Sequence, residues 1–106
     1  LKLIEQVLIN LITNSIYAVE GISSPQIKIG YRLENSKLYI DVTDNGKGIH
    51  REDLEKIFVP FYTTRKNGSG IGLTISRNIM KMHRGSIEVV SEPGNSTTFS
   101  LLFNYV

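Results

Sequence analysis

Leu38-Tyr39-Ile40-Asp41-Val42-Thr43-Asp44-Asn45-Gly46-Lys47-Gly48-Ile49 decides how this chain folds. Leu38, Ile40 and Val42 alternate with polar neighbours, so they form the apolar face of a half-buried strand. The same period of two carries Asp44 onto that inward face. A carboxylate there must find a hydrogen-bond donor or lose its charge, and an exocyclic purine amine is one such donor. Gly46 and Gly48 let the backbone approach a flat ligand closely. The competing reading has Asp44 capping the following turn through its own backbone, as Asx residues do.

On the N-terminal side, residues 26–33 alternate Ile27, Ile29, Tyr31 and Leu33 inward against Lys28, Gly30 and Arg32, which predicts a second half-buried strand. Before it, residues 3–19 place Ile4, Val7, Leu8, Leu11, Ile12 and Val19 on one side of a helix, with Gln6, Asn10, Thr13, Asn14 and Tyr17 on another. On the C-terminal side, 51–58 reads as a short helix and 59–69 as an irregular polar and basic segment. Another helix runs to about His83 with Ile75, Ile79 and Met82 on one face, and stops at Gly85. Two strands follow, with Ile87 and Val89 and then Phe99, Leu101 and Phe103 inward. This order predicts an α+β, two-layer α/β sandwich, its helices packed on one face of a mixed, mostly antiparallel sheet.

The 106 residues, 41% hydrophobic and 21% charged, suit a single domain with one core. Without cysteine the chain has no disulfide, thiolate zinc site or cysteine nucleophile. Twelve Lys and Arg against ten Asp and Glu leave a net charge of +2, too small to predict a nucleic-acid surface. No apolar stretch approaches the ~20 residues of a membrane span, and no signal peptide is evident. The chain opens at Leu1 inside a helical pattern, which predicts a fragment of a longer protein.

Three further motifs carry chemistry. Asn10 and Asn14 project side by side one helical turn apart, and an amide oxygen is a fit Mg²⁺ ligand when phosphate oxygens share the ion. Two solvated helix residues are the plain alternative. Gly68-Ser69-Gly70-Ile71-Gly72-Leu73 sets glycines at alternate positions before a helix, where free amides and the helix dipole favour phosphate. Its spacing is neither the dinucleotide fingerprint nor the Walker pattern. Phe58-Val59-Pro60-Phe61-Tyr62-Thr63-Thr64-Arg65-Lys66 mixes aromatics, hydroxyls and cations, as a hinged lid would, with Arg65 or Lys66 meeting a terminal phosphate. An anchored surface loop is the alternative.

In this order the four motifs resemble the N, G1, F and G2 boxes of the ATP-binding catalytic domain of bacterial sensor histidine kinases, a fold family shared with gyrase, Hsp90 and MutL. The resemblance covers nearly the whole chain and implies a Bergerat-type ATP-binding fold. It implies that Asn14 ligates Mg²⁺, that Asn10 and Tyr17 lie near the triphosphate, and that Asp44 accepts a hydrogen bond from the adenine amine. Gly46, Gly48 and Ile49 would then line the base pocket, while Thr64, Gly68, Gly70, Ile71, Gly72 and Leu73 close the phosphate side. Arg65 or Lys66 would meet the terminal phosphate, and Thr97 would help hold adenine.

The departures from the family pattern are specific. Where hydrolytic relatives carry a water-activating glutamate this chain has Asn10, no useful base, which argues for transfer over hydrolysis. Tyr17 stands where many sensor kinases have Lys or Arg. Gly94-Asn95-Ser96-Thr97 replaces the usual Gly-x-Gly-Thr, and the strand that precedes the family's first helix is missing. Neither His50 nor His83 resembles the phosphoacceptor.

The expected function is therefore transfer of the γ-phosphoryl group of ATP to a histidine on a separate dimerisation domain of a homodimeric parent. A response regulator receiver domain would be the next partner. The domain is expected to be cytoplasmic, with or without a membrane anchor elsewhere in the parent, and to bind nucleotide at micromolar to millimolar Kd, about 4–8 kcal/mol. An anti-sigma-factor-type serine kinase and an inactive nucleotide-binding or docking module remain as alternatives.

Overall fold

The computed structural model describes residues 2–59 and 72–104. Helix α1 (Lys2–Ala18) buries Val7, Leu11 and Ser15, which recur one turn apart, and half-buries Ile4, Leu8 and Ile12 beside them. Strands β1 (Ile27–Glu34) and β2 (Lys37–Asp44) form a hairpin closed by Asn35 and Ser36. Both turn residues have positive φ, 50° and 64°, the left-handed pair whose twist suits a two-residue hairpin. A short α2 (Arg51–Leu54) follows, then α3 (Gly72–Met82), β3 (Ser86–Glu92) and β4 (Ser96–Asn104).

The sheet order is β1-β2-β4-β3, and every pairing among these strands is antiparallel. The core forms where Val42, Phe99 and Leu101 of the sheet meet Val7 and Leu11 of α1 and Ile79 and Met80 of α3. This is the expected two-layer α+β sandwich. The opposite sheet face is polar: Arg32 stacks on Tyr39 at 3.9 Å and bridges Asp41 at 3.0 Å, and Asp41 accepts a hydrogen bond from Ser100. No helix among the described residues is long and apolar enough to cross a membrane.

Three expectations need correction. Ile29, Tyr31 and Leu33 share the inward face but are 57%, 77% and 57% exposed, because β1 is the edge strand and the described helices leave it largely uncovered. On α3 the buried residues are Ser76, Ile79 and Met80, whereas Ile75 and Met82 face outward. Ser76 takes a buried place because it meets a polar partner on α1. Finally, Arg84 rather than Gly85 adopts the left-handed conformation that ends α3, at φ 58°. Gly85 N–H donates to Met80 O at 2.8 Å and Arg84 N–H to Lys81 O at 3.0 Å, the two bonds of a Schellman cap.

Gly85 is needed for a different reason: a Cβ there would lie 2.3 Å from the Leu102 carbonyl oxygen of β4. Arg84→Gly should therefore stabilise the chain by about 0.5–1 kcal/mol, since relief of left-handed strain exceeds the added unfolded-state entropy. A higher urea midpoint at unchanged slope is the expected reading.

Candidate functional site

The strand register assembles the site. Asp44 on β2 lies opposite Thr97 on β4, and Thr97 lies opposite Ser91 on β3, so three strands present these side chains in a row at one end of the inner face. Asp44 is 2% exposed. One of its oxygens accepts the Gly46 N–H at 2.9 Å, an Asx turn, and the Ser15 hydroxyl of α1 is a second hydrogen-bonding neighbour of the carboxyl. The carboxyl is thus both buried on the inner face and a cap for its own turn. Ser15 is 1% exposed beside this carboxyl, and its hydroxyl favours the charged form.

Burial pushes the Asp44 carboxyl above its ordinary value of 3.8, and the Gly46 N–H and Ser15 only partly oppose this. The folded state therefore holds this proton to a higher pH than the unfolded state does. The Asp44 contribution to stability falls as pH rises from 3.8 through the raised folded value, then levels off. Asp44→Asn lacks that fall, so its stability relative to wild type should climb across this window and plateau above the raised folded value. Paired urea titrations at a series of pH values would measure it, and a constant difference would contradict it.

Beside Asp44 a hydroxyl relay ties the strands to the loop. Ile49 N–H donates to Ser91 Oγ at 2.7 Å, Ser91 Oγ donates to Ser96 O at 2.9 Å, and Ser91 Oγ lies 2.7 Å from Thr97 Oγ1. With the Ser91 proton on Ser96 O, Thr97 is the donor to Ser91. The sequence reading missed Ser91, yet the alternation Ile87, Val89, Ser91 puts it inward by the rule that found Asp44.

The loop after β2 is held by backbone on both sides. Lys47 N–H donates to Ala18 O at 3.2 Å, and Gly94 N–H to Lys47 O at 2.6 Å. Asn45, passed over in the sequence, accepts Gln26 N–H and donates to Ser24 O, both at 2.8 Å. A Cβ on Gly46 would sit 2.2 Å from Ala18 O, and one on Gly48 would sit 2.4 Å from Glu92 O. The close approach expected at these glycines is made by the chain itself, and Gly48 also has a φ of 74°.

Across the site, Asn10 joins the helices: its side-chain N–H₂ donates to Gly72 O at 3.2 Å and Ser76 Oγ at 3.0 Å, and its oxygen accepts from Gln6 at 3.0 Å. It therefore lies against the first turn of α3, beside Gly72 and Leu73. Asn14 is half-buried one turn further along α1, and Tyr17 is 40% exposed. α3 also grips the chain leaving α2, since Thr74 Oγ1 donates to Phe58 O at 2.9 Å and the Arg77 guanidinium lies 5.1 Å from the Phe58 ring centre. Thr64, Arg65, Lys66, Gly68, Gly70 and Ile71 lie outside the described residues. His50 is exposed just before α2, and the His83 ring contacts Ile79 O at the end of α3.

Residues 1–105 match the family described as histidine kinase-, DNA gyrase B- and HSP90-like ATPase. The chain is 38% identical over 101 residues to the signal transduction histidine-protein kinase AtoS of Escherichia coli, covering 95% of this chain and 16% of AtoS. It is 40% identical over 98 residues to the sensor histidine kinase ZraS of the same species, covering 91% and 20% of the two proteins. The chain thus spans about a fifth or less of these relatives' lengths. A nucleotide-free structure of the catalytic domain of histidine kinase ThkA superposes with a TM-score of 0.82 at 36% identity, covering 97% of this chain and 66% of that one. The chain belongs to the histidine kinase-, DNA gyrase B- and HSP90-like ATPase family, with the fold of a histidine kinase catalytic domain.

Proposed function

We propose that this chain is the ATP-binding catalytic domain of a larger sensor histidine kinase, moving the γ-phosphoryl group of ATP to a histidine on a separate helical dimerisation domain. The observation that carries this is Asp44, a buried carboxylate with one oxygen committed to Gly46 N–H and an acceptor position left over. That position suits an adenine amine. Thr97 and Ile49 flank it through Ser91.

The phosphates then extend toward α1 and the start of α3. Asn14 would hold Mg²⁺ through its neutral amide oxygen, and the ion when bound would offset phosphate charge. Gly72 and Leu73 open α3, whose first-turn amides favour negative charge, and the family resemblance assigns Gly68, Gly70, Ile71 and Thr64 to phosphate binding. Arg65 or Lys66 would neutralise the terminal phosphate. Asn10 is a neutral amide engaged with Gly72 and Ser76, so it activates no water, which favours transfer. Catalysis is then mainly positioning and charge neutralisation.

The attacking imidazole comes from the parent's helical domain, and a response regulator receiver domain takes the phosphoryl group next. The parent is read as a homodimer, with this domain on the cytoplasmic side. Incubating the full-length parent with labelled ATP and Mg²⁺ tests the proposal. The expected product carries acid-labile phosphate on protein, whereas acid-stable phosphate would indicate a hydroxyl acceptor and overturn the reading.

A further inference from the structure

Ser76 is a polar residue in an apolar stripe. It is 0% exposed on the side of α3 that also carries the core residues Ile79 and Met80, where alanine would fill the same space and favour the helix more. Its hydroxyl oxygen accepts a hydrogen bond from the Asn10 side-chain amine at 3.0 Å, and Gly72 O accepts from the same amine at 3.2 Å. Gly72 and Ser76 lie one turn apart, so the amine of Asn10 spans the first turn of α3.

These two bonds fix which way the Asn10 amide faces. A backbone carbonyl only accepts, so a flipped amide would set oxygen against Gly72 O. The Asn10 oxygen is thereby turned to Gln6, whose amine reaches it at 3.0 Å. With both amine hydrogens committed to α3, Asn10 is a strut between the helices. A Cβ added at Gly72 would stand 3.8 Å from Asn10 Cγ, an ordinary contact, so steric contact does not set the spacing there and the polar bonds do.

We propose that Ser76 is a positioning residue for the phosphate side of the site. It holds the Asn10 strut, and the strut holds the first turn of α3 at a fixed distance from Asn14, one turn further along α1. Phosphates gripped from two helices at once gain fully only where the two grips keep their spacing. Ser76 is too deeply buried to touch a ligand and acts only through Asn10. This rests on the reading of Asn14 and the start of α3 given above.

A double-mutant cycle tests it. Wild type, Ser76→Ala, Asn10→Ala and the double variant are each titrated with adenosine and with Mg-ADP. Wild type should bind Mg-ADP more tightly than adenosine. Ser76→Ala should weaken Mg-ADP binding about tenfold and leave adenosine binding within about twofold of wild type. Adding Ser76→Ala to Asn10→Ala should weaken Mg-ADP binding no further, because the hydroxyl acts through that amide. Without ligand, Ser76→Ala should melt within about 5 °C of wild type, since alanine favours the helix and water can reach the half-buried Asn10 amine.

Equal weakening of adenosine and Mg-ADP, a larger drop in melting temperature or failure to fold assigns the bond to stability and overturns the proposal. Unchanged Mg-ADP binding, or full additivity with Asn10→Ala, overturns it as well, and each of these results leaves the nucleotide reading standing. Wild type that binds the two ligands equally overturns the phosphate-side reading, and wild type that binds neither overturns the nucleotide reading itself.

Discussion

Gly48→Ala lowers stability by about 3–5 kcal/mol, enough to take a large part of the ~5–15 kcal/mol that holds a domain of this size. Two costs combine. A left-handed backbone at φ 74° penalises any Cβ by about 1–2 kcal/mol. That Cβ would also sit 2.4 Å from Glu92 O and 2.8 Å from Pro93 Cα, backbone atoms that a rotamer change cannot move. Relief requires displacing the β3–β4 turn, which Gly94 N–H binds to Lys47 O. Gly46→Ala lacks the left-handed cost but meets Ala18 O at 2.2 Å, so about 2–3 kcal/mol is expected. Gly30→Ala on β1 meets nothing within 4 Å and should be neutral or slightly stabilising. Thermal melts of the three variants should rank in that order, with Gly48→Ala down by more than about 12 °C. Equal melting of Gly48→Ala and Gly30→Ala would mean that the loop is not packed as described.

Asp44→Asn should weaken ADP binding about 30-fold or more, because an acceptor facing the adenine amine becomes in part a donor, and a charge-assisted hydrogen bond is lost. The substitution is isosteric and keeps an oxygen for Gly46 N–H. It also removes a carboxylate whose charged form is disfavoured by burial, so at neutral pH the variant should be as stable as wild type or more so. Affinity and stability then change in opposite directions, as expected where a fold keeps an unfavourable group for its function. Loss of both together would instead assign Asp44 a structural role.

The inward carboxylate was legible because alternation along 38–44 fixes which face a side chain takes. The same rule reaches Ser91. Alternation does not say whether a face is covered, and Ile29, Tyr31 and Leu33 read as core although α1 packs mainly over β2. Counting apolar residues on α3 favoured Ile75 and Met82 over Ser76, because the bond between Ser76 and Asn10 joins residues 66 positions apart. Gly46 and Gly48 read as positions for close approach to a flat ligand, whereas the neighbours a Cβ would meet are Ala18 and Glu92 of the chain itself, which only the fold identifies. Ser15 had a signal, falling four residues after Leu11 on the buried stripe, but its meeting with the Asp44 carboxyl at the end of β2 needed the structure.

A crystal structure with Mg-ADP tests the central claim most directly. The predicted result places the adenine amine nitrogen about 2.7–3.2 Å from the Asp44 oxygen that does not accept from Gly46. A base seated away from the end of β2, or an Asp44 carboxylate with both oxygens bonded to its own chain, would contradict it.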